Sequence, residues 1–461
     1  MQPDVEAIER LAADPLLSTP TSVDTDDSGD ASKRHPALNL TPHEAWVGCV
    51  SETGEYRFIT SARRLYTLGE VKERLRLTPR PYADLAGRWA DTDVAAFLAG
   101  SPAPQFSEVL ARCIKVLRDA MEFPRHEHAV LVAVWAVSTY FYQLFLAFPR
   151  LNLCGEREAG KSKLMTILKG LAFNALLMLT PTPAVLYRLI QEFRPTVLLD
   201  EVEGLNKDDA RDIISIINSG YKWGGTVPRC EGERRKQVEL FEVYAPVALS
   251  AIKSVNATTE DRCIPLTLQR GVDRTRVNRE VDLRDSIFGQ IRDGAYRLVL
   301  TRWTDVSAAY DMVPLPEWLN GRVRELWRPL LAVAHLADEE NGLTLMPDLL
   351  SLARDHVESR ASVSAEGEAL LIVLADQLGA LPSLVVHPGE LTEPMKTRLG
   401  WQHAPTPELV SSCLRRFGFA RGKPSRDREG VRYEITAEKL ADVQVRHGGA
   451  QTYTPALTSS K

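Results

Sequence analysis

The stretch GEREAGKS at residues 155–162 matches the pattern GxxxxGK[ST], whose residue types can hold the phosphates of a nucleotide. The two glycines let the backbone N–H groups point inward, and the following helix adds the positive end of its dipole. Lys161 would neutralise the β- and γ-phosphate oxygens, and the Ser162 hydroxyl would bind Mg²⁺. We therefore predict ATP and Mg²⁺ as ligands. The predicted nucleotide contacts in this stretch are Gly155, Glu158, Ala159, Gly160, Lys161, Ser162 and Lys163.

A second, acidic element supports the same chemistry. Residues 196–199 form an apolar run that is followed by the carboxylates Asp200 and Glu201. In nucleotide hydrolases of this kind, an Asp at the end of a buried strand holds Mg²⁺, and an adjacent Glu can accept the proton of the attacking water. We predict Asp200 as a magnesium residue and Glu201 as the general base. The Asp-Glu pair also indicates the ATP-hydrolysing branch, which has an extra strand between the two motifs.

Polar residues near the third and fourth predicted strands could complete the site. Ser250, Lys253 or Asn256 could position water beside the γ-phosphate, or could equally be ordinary polar loop residues. Arg262 precedes the fourth strand, where oligomeric ATPases often present an arginine to the nucleotide of a neighbouring subunit. A structural salt bridge is the alternative for Arg262. The predicted catalytic set is Lys161, Glu201 and Arg262, with Ser250 as a further nucleotide contact.

Residues 218–236 carry cations around two aromatic residues and a Gly-Gly turn. A basic, aromatic loop can follow a nucleic-acid backbone through the pore of a ring. A run of charge is also common on a solvated surface, and that alternative stays open. The pore-loop interpretation assigns DNA contact to Lys222 and Arg229, with further cations at Arg234, Arg235 and Lys236.

The elements that must position these residues alternate between strands and helices. Strands are predicted at 150–154, 195–200, 244–252 and 263–270, with helical segments between them. This alternation is typical of an α/β protein whose parallel sheet is connected by crossover helices. Short β-like pieces and then helices between 43 and 124 predict an α+β region on the N-terminal side.

An uncharged run at 129–148, AVLVAVWAVSTYFYQLFLAF, is long enough to cross a membrane. It contains Ser138, Thr139 and Gln143, lacks a flanking Lys/Arg cluster, and is followed by another apolar strand. We favour a helix buried in a globular core over a membrane anchor. We accordingly expect a cytoplasmic protein without membrane contact.

The composition is that of an ordinary globular protein. The 461 residues predict several domains, and the net charge of −5 gives no general attraction to nucleic acid, so any such binding needs a local patch. Six scattered cysteines, without a CxxC pair, indicate reduced thiols rather than disulfides or a zinc site. The N-terminus lacks the apolar core of a signal peptide, and the composition of residues 18–42 predicts a disordered linker.

A basic cluster near the C-terminus forms such a local patch. Residues 407–418 predict a helix, and the following basic segment predicts a β-hairpin, as in a winged helix whose helix enters a DNA groove while its wing contacts phosphates. A protein-binding winged helix or a solvated hairpin is the alternative. The predicted DNA contacts are Arg415, Arg416, Arg421, Lys423, Arg426 and Arg428, with Arg432 in the same cluster.

With these motifs placed, the sequence resembles a family of phage, prophage and plasmid P-loop proteins formerly of unknown function. That family is similar to AAA+ ATPases and, more distantly, to superfamily-three helicases. The resemblance covers about residues 120–440, and its most specific blocks are LYRLIQEFRPTVLLDEVE and NSGYKWGGTVPRCEG. The chain departs from the family pattern at the charged residues Glu156, Arg157 and Glu158, and no primase or polymerase motif is present in residues 1–120.

The resemblance implies an AAA+-like P-loop NTPase core with a helical lid and a C-terminal winged-helix-like segment. It also implies a homo-oligomer, in the form of a hexameric ring, and replication proteins of a mobile element as partners. An arginine near Trp327 would act as the second sensor, and Arg328 is our choice over Arg322 and Arg324.

The predicted domains follow from these segments. They are a disordered segment at 1–42, an accessory region at 43–120, the ATPase core at 121–275, the lid at 276–384, the winged-helix-like domain at 385–448 and a disordered tail at 449–461. The first hypothesis is an ATPase acting on DNA as a helicase, translocase or replication initiator. The second is an ATP-dependent switch or scaffold in regulation or phage immunity, and the third is a membrane-tethered ATPase.

Overall fold

The chain forms two compact units, Met1–Arg354 and Asp355–Lys461. The structure is a computed structural model that describes residues 33–200, 207–231, 237–250, 257–340, 342–361, 365–421 and 431–447. All six cysteines lie within these ranges and are free thiols.

The first unit begins with a four-stranded antiparallel sheet in the order in which its strands occur along the chain. Its strands are β1 (Leu38–Leu40), β2 (Ala45–Val50), β3 (Tyr56–Thr60) and β4 (Leu65–Thr67). The core of this sheet is aromatic, and the Trp46 and Phe58 rings lie 4.9 Å apart between centroids. The helices that follow are α1 (Leu68–Val71), α2 (Asp91–Leu98) and α3 (Phe106–Ala120). The predicted α+β character of this region is confirmed.

The uncharged run forms α4 (His126–Ser138) and then a short 3-10 turn, Tyr142–Leu144. Every residue of α4 from Ala129 onward is buried, because an apolar helix with no polar face needs packing partners on all sides. The Trp135 indole donates to the Pro149 carbonyl oxygen at 2.8 Å, which ties α4 to the chain just before the next strand. The predicted buried helix is confirmed. Within the described ranges, the chain has no helix with the length and apolarity needed to span a bilayer.

A five-stranded parallel sheet forms the centre of the first unit, which confirms the predicted α/β class. Along the sheet the order is β11-β5-β10-β7-β6, so β10 lies between β5 and β7 although it follows both in sequence. The strands are β5 (Arg150–Cys154), β6 (Leu176–Met178), β7 (Val197–Leu199), β10 (Val247–Ser250) and β11 (Cys263–Thr267). Strand β6 was not predicted from the sequence.

Crossover helices connect the parallel strands, as the alternation predicts. They are α5 (Lys161–Leu171), α6 (Pro183–Phe193), α7 (Lys207–Ser219) and the short α8 (Ala257–Glu260). Helix α6 begins where the Thr182 hydroxyl accepts a hydrogen bond from Val185 N, with Pro183 in the first helical position. Its residues Leu186, Tyr187 and Ile190 are buried at helical spacing, and they pack into one core with β7, α7 and β10.

Strands β8 (Thr226–Glu231) and β9 (Gln237–Glu242) form an antiparallel hairpin between β7 and β10 in sequence. Residues 218–236 were predicted as a loop, but Thr226–Glu231 form the strand β8 because they pair with β9. Val227 and Phe241 pair across the hairpin and are buried, which fixes the hairpin to the unit. Arg234, Arg235 and Lys236 lie outside the described residues.

Helices complete the first unit after β11. They are α9 (Arg274–Asn278), α10 (Ser286–Met312), α11 (Gly321–Glu339) and α12 (Met346–Ala361), and α12 runs across the boundary between the units. Trp327 and Leu330 of α11 are buried, in keeping with the predicted helical character of this region.

The second unit has helices on a three-stranded antiparallel sheet of order β12-β14-β13. Its elements are α13 (Ala365–Leu378), β12 (Ser383–Val386), α14 (Thr392–Leu399), α15 (Pro407–Arg416), β13 (Ala420–Arg421), β14 (Tyr433–Thr436) and α16 (Ala437–His447). The predicted lid ends at residue 384 and so includes α13, and this boundary stays a prediction. Leu370 and Leu374 of α13 pack in one core with Leu414 of α15 and Ile435 of β14.

Candidate nucleotide-binding site

A glycine loop, residues 155–160, joins the end of β5 to the start of α5. Gly155 has φ +148°, and a Cβ there would lie 2.5 Å from the Leu268 carbonyl oxygen, so the close approach of the chain after β11 requires glycine. Gly160 caps α5 in the left-handed region at φ 85° and ψ 15°. The two glycines of the motif therefore have separate roles: one accommodates a neighbouring chain segment, and the other turns the loop into the helix.

The Lys161 ammonium folds back over this loop. Its Nζ donates to the carbonyl oxygens of Gly155 at 2.6 Å and Glu156 at 2.9 Å. Because both acceptors are the first residues of the loop, the positive charge of Lys161 lies over the start of the loop, next to the end of β5. The Ser162 side chain is exposed one residue further on. These are the donor and the hydroxyl that a bound phosphate and its magnesium ion require.

Glu158 has a left-handed backbone, with φ 65°, at the outer edge of the loop. Its carboxylate lies 3.4 Å from the Arg270 guanidinium, and Arg270 Nε donates to the Arg157 carbonyl oxygen at 3.1 Å. Arg270 thus binds both a side chain and a main-chain group of the charged triplet. Glu158 was predicted as a nucleotide contact, and that contact stays a prediction. The pairing of the triplet with Arg270 was not predicted from the sequence. The contact arises because β11 runs parallel to β5, with Thr267 beside Cys154.

Lys163 faces a different neighbour from the one predicted. Its ammonium donates to the carbonyl oxygens of Arg276 at 2.7 Å and Val277 at 3.4 Å in α9. Burial and the nearby Arg279 charge lower the pKa of Lys163. Lys163 therefore connects α5 to α9 here, and its contact with a nucleotide stays a prediction.

Asp200 and Ser250 lie at the same edge of the sheet as the glycine loop. Leu249 of β10 is in register with Leu199 of β7, and Ser250 is in register with Leu153 of β5. Because these strands are parallel, their carboxyl ends meet at one edge. Asp200 is 4% exposed and Ser250 is 2% exposed, so both are held within the protein beside the loop. Glu201, Lys253 and Asn256 lie outside the described residues.

Arg262 lies at the opposite edge of the sheet. Cys263 pairs with Arg150 and Thr267 pairs with Cys154, so Arg262 lies five residues, or about 16 Å, before the strand ends that carry the loop. The Arg262 guanidinium donates to the Thr258 carbonyl oxygen, and its central carbon lies 5.8 Å from the Tyr221 ring centroid. This position separates Arg262 from the glycine loop of its own chain.

The arginines of α11 are held by partners that do not belong to the glycine loop. Arg328 Nε donates to the Tyr310 carbonyl oxygen at 2.6 Å, and its guanidinium lies 3.4 Å from the Asp311 carboxylate. Arg322 lies 3.4 Å from Asp261 and so stands beside the Arg262 turn. The role of Arg328 as a second sensor stays a prediction, as does that of Arg324.

The predicted DNA residues occupy several places. Lys222 forms an ion pair with Glu325 at 2.9 Å, and Arg229 on β8 lies 5.4 Å from the Tyr187 ring centroid. Arg415 and Arg416 are exposed in the last turn of α15, and Arg421 ends β13. Lys423, Arg426 and Arg428 lie outside the described residues. The helix and the strand pair that the sequence analysis expected around these cations are present.

No cluster of three or more His, Cys, Asp or Glu side chains that could hold a metal ion occurs in the described part of the chain. The candidate magnesium groups are of another kind, a Ser162 hydroxyl and an Asp200 carboxylate. Oxygen ligands of this type, few in number and completed by phosphate and water, suit Mg²⁺.

Comparison with protein families and with curated proteins gave no match. Among solved structures, the chain is similar to the A form of the apo C-terminal region of NrS-1. The TM-score is 0.34 and the sequence identity 7%, over 85% of this chain and 96% of that chain. At this TM-score and this identity, the similarity supports no conclusion about the activity of the chain.

Proposed function

We propose that this chain is a magnesium-dependent ATPase with an AAA+-like P-loop core. The single observation that carries the proposal is the strand order, in which β10 separates β5 from β7 while the glycine loop, Asp200 and Ser250 share one edge. This is the arrangement expected of the ATP-hydrolysing branch, in which an extra strand lies between the two nucleotide motifs.

The chain's own groups account for the chemistry that this proposal needs. The inward N–H groups of the glycine loop and the Lys161 ammonium would bind the phosphates once Lys161 exchanges its carbonyl partners for phosphate oxygens. Ser162 and Asp200 would hold Mg²⁺, which neutralises phosphate charge when bound. Glu201 would accept the proton of the attacking water, and Ser250 would orient that water.

The position of Arg262 supports action between subunits. Arg262 and the glycine loop lie at opposite edges of one sheet, about 16 Å apart along the strands. An arginine so placed can serve a phosphate held by another copy of the chain more readily than one held by its own loop. We therefore propose a homo-oligomer, and a hexameric ring follows from the resemblance to AAA+ proteins.

DNA is the proposed partner. The hairpin β8–β9 lies between β7 and β10 in sequence, with Lys222 before its first strand and Arg229 on that strand. Exposed Arg415 and Arg416 on α15 would give the second unit its own phosphate contacts. Helicase, translocase and replication-initiation activities all use such an arrangement, in keeping with a mobile-element replication protein.

The test is the ATP turnover rate with and without single- and double-stranded DNA, together with the mass of the assembly in the presence of an ATP analogue. We expect DNA-stimulated turnover that Lys161→Ala abolishes, and tight ATP retention in Glu201→Gln. ATP binding without DNA-stimulated turnover would instead support the switch or scaffold function. Failure to bind ATP would overturn both.

A further inference from the structure

Three arginines surround the ring of Tyr221. The central guanidinium carbons of Arg150, Arg262 and Arg322 lie 5.4, 5.8 and 5.1 Å from the ring centroid. Each distance is within the range of a cation–π contact. We name these four residues the Tyr221 cluster. It lies at the amino-terminal edge of the parallel sheet, away from the glycine loop, because Arg150 opens β5 and Arg262 immediately precedes β11.

Arg150 is the unusual member of the cluster. It is 1% exposed, and none of its three side-chain nitrogens has a hydrogen-bond partner among the described residues. Burial lowers the pKa of Arg150 to about 10, so the group stays charged at neutral pH. A buried cation without hydrogen bonds costs folding free energy, and it persists where another role retains it. The Tyr221 ring, whose centroid lies 5.4 Å from the central guanidinium carbon, compensates part of this cost.

Tyr221 is fixed to the segment just before β5. Its carbonyl oxygen accepts a hydrogen bond from Phe148 N at 3.4 Å, and Trp223 N donates to the Leu146 carbonyl oxygen at 2.9 Å. One residue earlier, a Cβ on Gly220 would lie 1.8 Å from the Val243 carbonyl oxygen, so the chain after β9 passes directly against this turn. The turn that carries Tyr221 is therefore bonded to the segment before β5 and packed against the chain that leaves the hairpin β8–β9.

An acidic residue joins the same two parts at the surface. Glu325 forms ion pairs with Arg322 at 2.7 Å and with Lys222 at 2.9 Å. Lys222 follows Tyr221 directly and leads into β8. Arg322 is thus connected to the hairpin base twice, once through the Tyr221 ring and once through the Glu325 carboxylate.

We propose that Tyr221 is a positioning residue that holds Arg262 and Arg322 and transmits movements of the hairpin β8–β9 to them. Three mutually repelling guanidinium groups stay together because each contacts the negative face of one ring. Displacement of the ring by a ligand on the hairpin would move both partly exposed arginines, while the buried Arg150 holds the ring from behind. This inference rests on the proposed function, in which the hairpin meets DNA and Arg262 serves a neighbouring nucleotide.

The test compares Tyr221→Leu with Tyr221→Phe. Phe keeps the ring that the three guanidinium groups contact and removes only the hydroxyl, which lies beside Arg322. We expect Tyr221→Leu to lower kcat with saturating DNA by at least about tenfold, with KM for ATP unchanged within about twofold. The ratio of DNA-stimulated to basal turnover should fall toward one. Tyr221→Phe should retain both kcat and that ratio.

A second variant covers the case in which Tyr221→Leu fails to fold. Glu325→Gln removes the surface connection between Lys222 and Arg322 without opening a cavity, and the exposed Glu317→Gln is its matched control. We expect Glu325→Gln, and not Glu317→Gln, to lower the DNA stimulation ratio. Wild-type behaviour of Tyr221→Leu, or of Glu325→Gln where Tyr221→Leu does not fold, would overturn the inference.

Hydrogen exchange separates failure of this inference from failure of the proposed function. The Arg262 amide donates to the Thr259 carbonyl oxygen at 3.0 Å, so its exchange reports on the Arg262 turn without any need for turnover. We expect faster exchange at residues 257–262 in Tyr221→Leu than in Tyr221→Phe. If the wild-type protein has no ATPase activity, the proposed function is wrong, yet the exchange rates still decide whether Tyr221 holds Arg262.

Discussion

The Lys161 ammonium donates to the Gly155 carbonyl oxygen at 2.6 Å, so the first residue of α5 is hydrogen-bonded to the first residue of the glycine loop. Phosphate oxygens would have to replace these carbonyl partners. We expect Lys161→Ala to lower ATP turnover by at least about 10²-fold. A turnover assay with Lys169→Ala as control checks this, since Lys169 is on the same helix but pairs with Asp84. Equal losses in the two variants would contradict a specific role for Lys161.

Arg270 and Glu158 hold the outer edge of the loop by charge. Both side chains are largely exposed, at 59% and 79%, so the pair contributes little to stability. We expect Arg270→Ala to change the Kd for ATP by less than about threefold. Arg270→Glu should weaken binding more, because it puts a second carboxylate beside Glu158, and adding Glu158→Arg should restore affinity. Titration of ATP into each variant measures these values, and a double variant no better than Arg270→Glu would contradict the pairing.

Arg262 and the glycine loop occupy opposite edges of the sheet. The proposal that Arg262 of one subunit acts on the nucleotide of another can therefore be tested. We expect Arg262→Ala and Lys161→Ala each to be inactive, with a loss for Arg262→Ala of about 10³-fold or more. Mixed oligomers should recover part of the activity, because an intact loop from one variant can meet an intact Arg262 from the other. The measurement is turnover against mixing ratio. No recovery in confirmed mixed oligomers would mean that the two residues act within one chain.

Arg150 combines deep burial with a lack of hydrogen bonds, and this predicts opposite effects on stability and activity. We expect Arg150→Met to raise the free energy of unfolding by about 1 kcal/mol, since an apolar side chain of similar length removes a desolvated charge. At the same time the DNA stimulation ratio should fall. Urea denaturation and turnover assays measure the two quantities. A variant that loses both stability and activity would instead indicate a purely structural arginine.

Asp293 should make the stability of the first unit depend on pH. Burial raises the pKa of Asp293 from 3.8 to about 6, with the Ala90 amide hydrogen bond acting in the opposite direction. The folded protein therefore holds a proton that the unfolded chain releases, and stability falls as the pH rises from about 4 to about 6.

Asp293→Asn keeps an acceptor for Ala90 N without the charge. We expect its advantage in free energy of unfolding over the wild type to grow across that pH window to about 1–2 kcal/mol, after allowance for solvent screening. Urea midpoints at several pH values measure this. A constant difference across the window would show that Asp293 does not titrate there.

The sequence predicted the elements that local pattern encodes. The strand before Gly155, the buried strand before Asp200 and the helix at Lys161 all follow from apolar runs bounded by glycine or carboxylates. The burial of residues 129–148 was predicted because an apolar strand, and not a polar domain, follows them in sequence. In each case the information lies within a few residues of the feature.

Features that depend on the meeting of distant segments were not predictable in this way. Strand β8 contains Pro228 and Arg229, and charged residues precede β9, so the sequence pattern is that of a polar loop. The hairpin is evident only from the pairing of Val227 with Phe241. From the sequence, Arg150 is expected to be a surface residue at the start of a strand. Its contact with the Tyr221 ring is not predictable, because Tyr221 is distant in sequence. The apolar pattern of helix α13 predicts a buried helix face, but it does not predict that this face packs against α15 and β14.

The place of β10 in the sheet also constrains when a nucleotide site can exist during synthesis. Strands β5 and β7 do not touch each other, and each pairs with β10, which the ribosome makes after both. A nascent chain that ends before Val247 contains Lys161 and Asp200 but lacks the strand that aligns them. The sheet can therefore form only after β10 pairs with β5 and β7. Such non-local pairing is slow, and the edges of the earlier strands stay unpaired until it occurs. Under the proposed function, fragments that stop short of β10 would carry both motifs yet bind no ATP, so truncated products would not compete with the finished protein for the nucleotide.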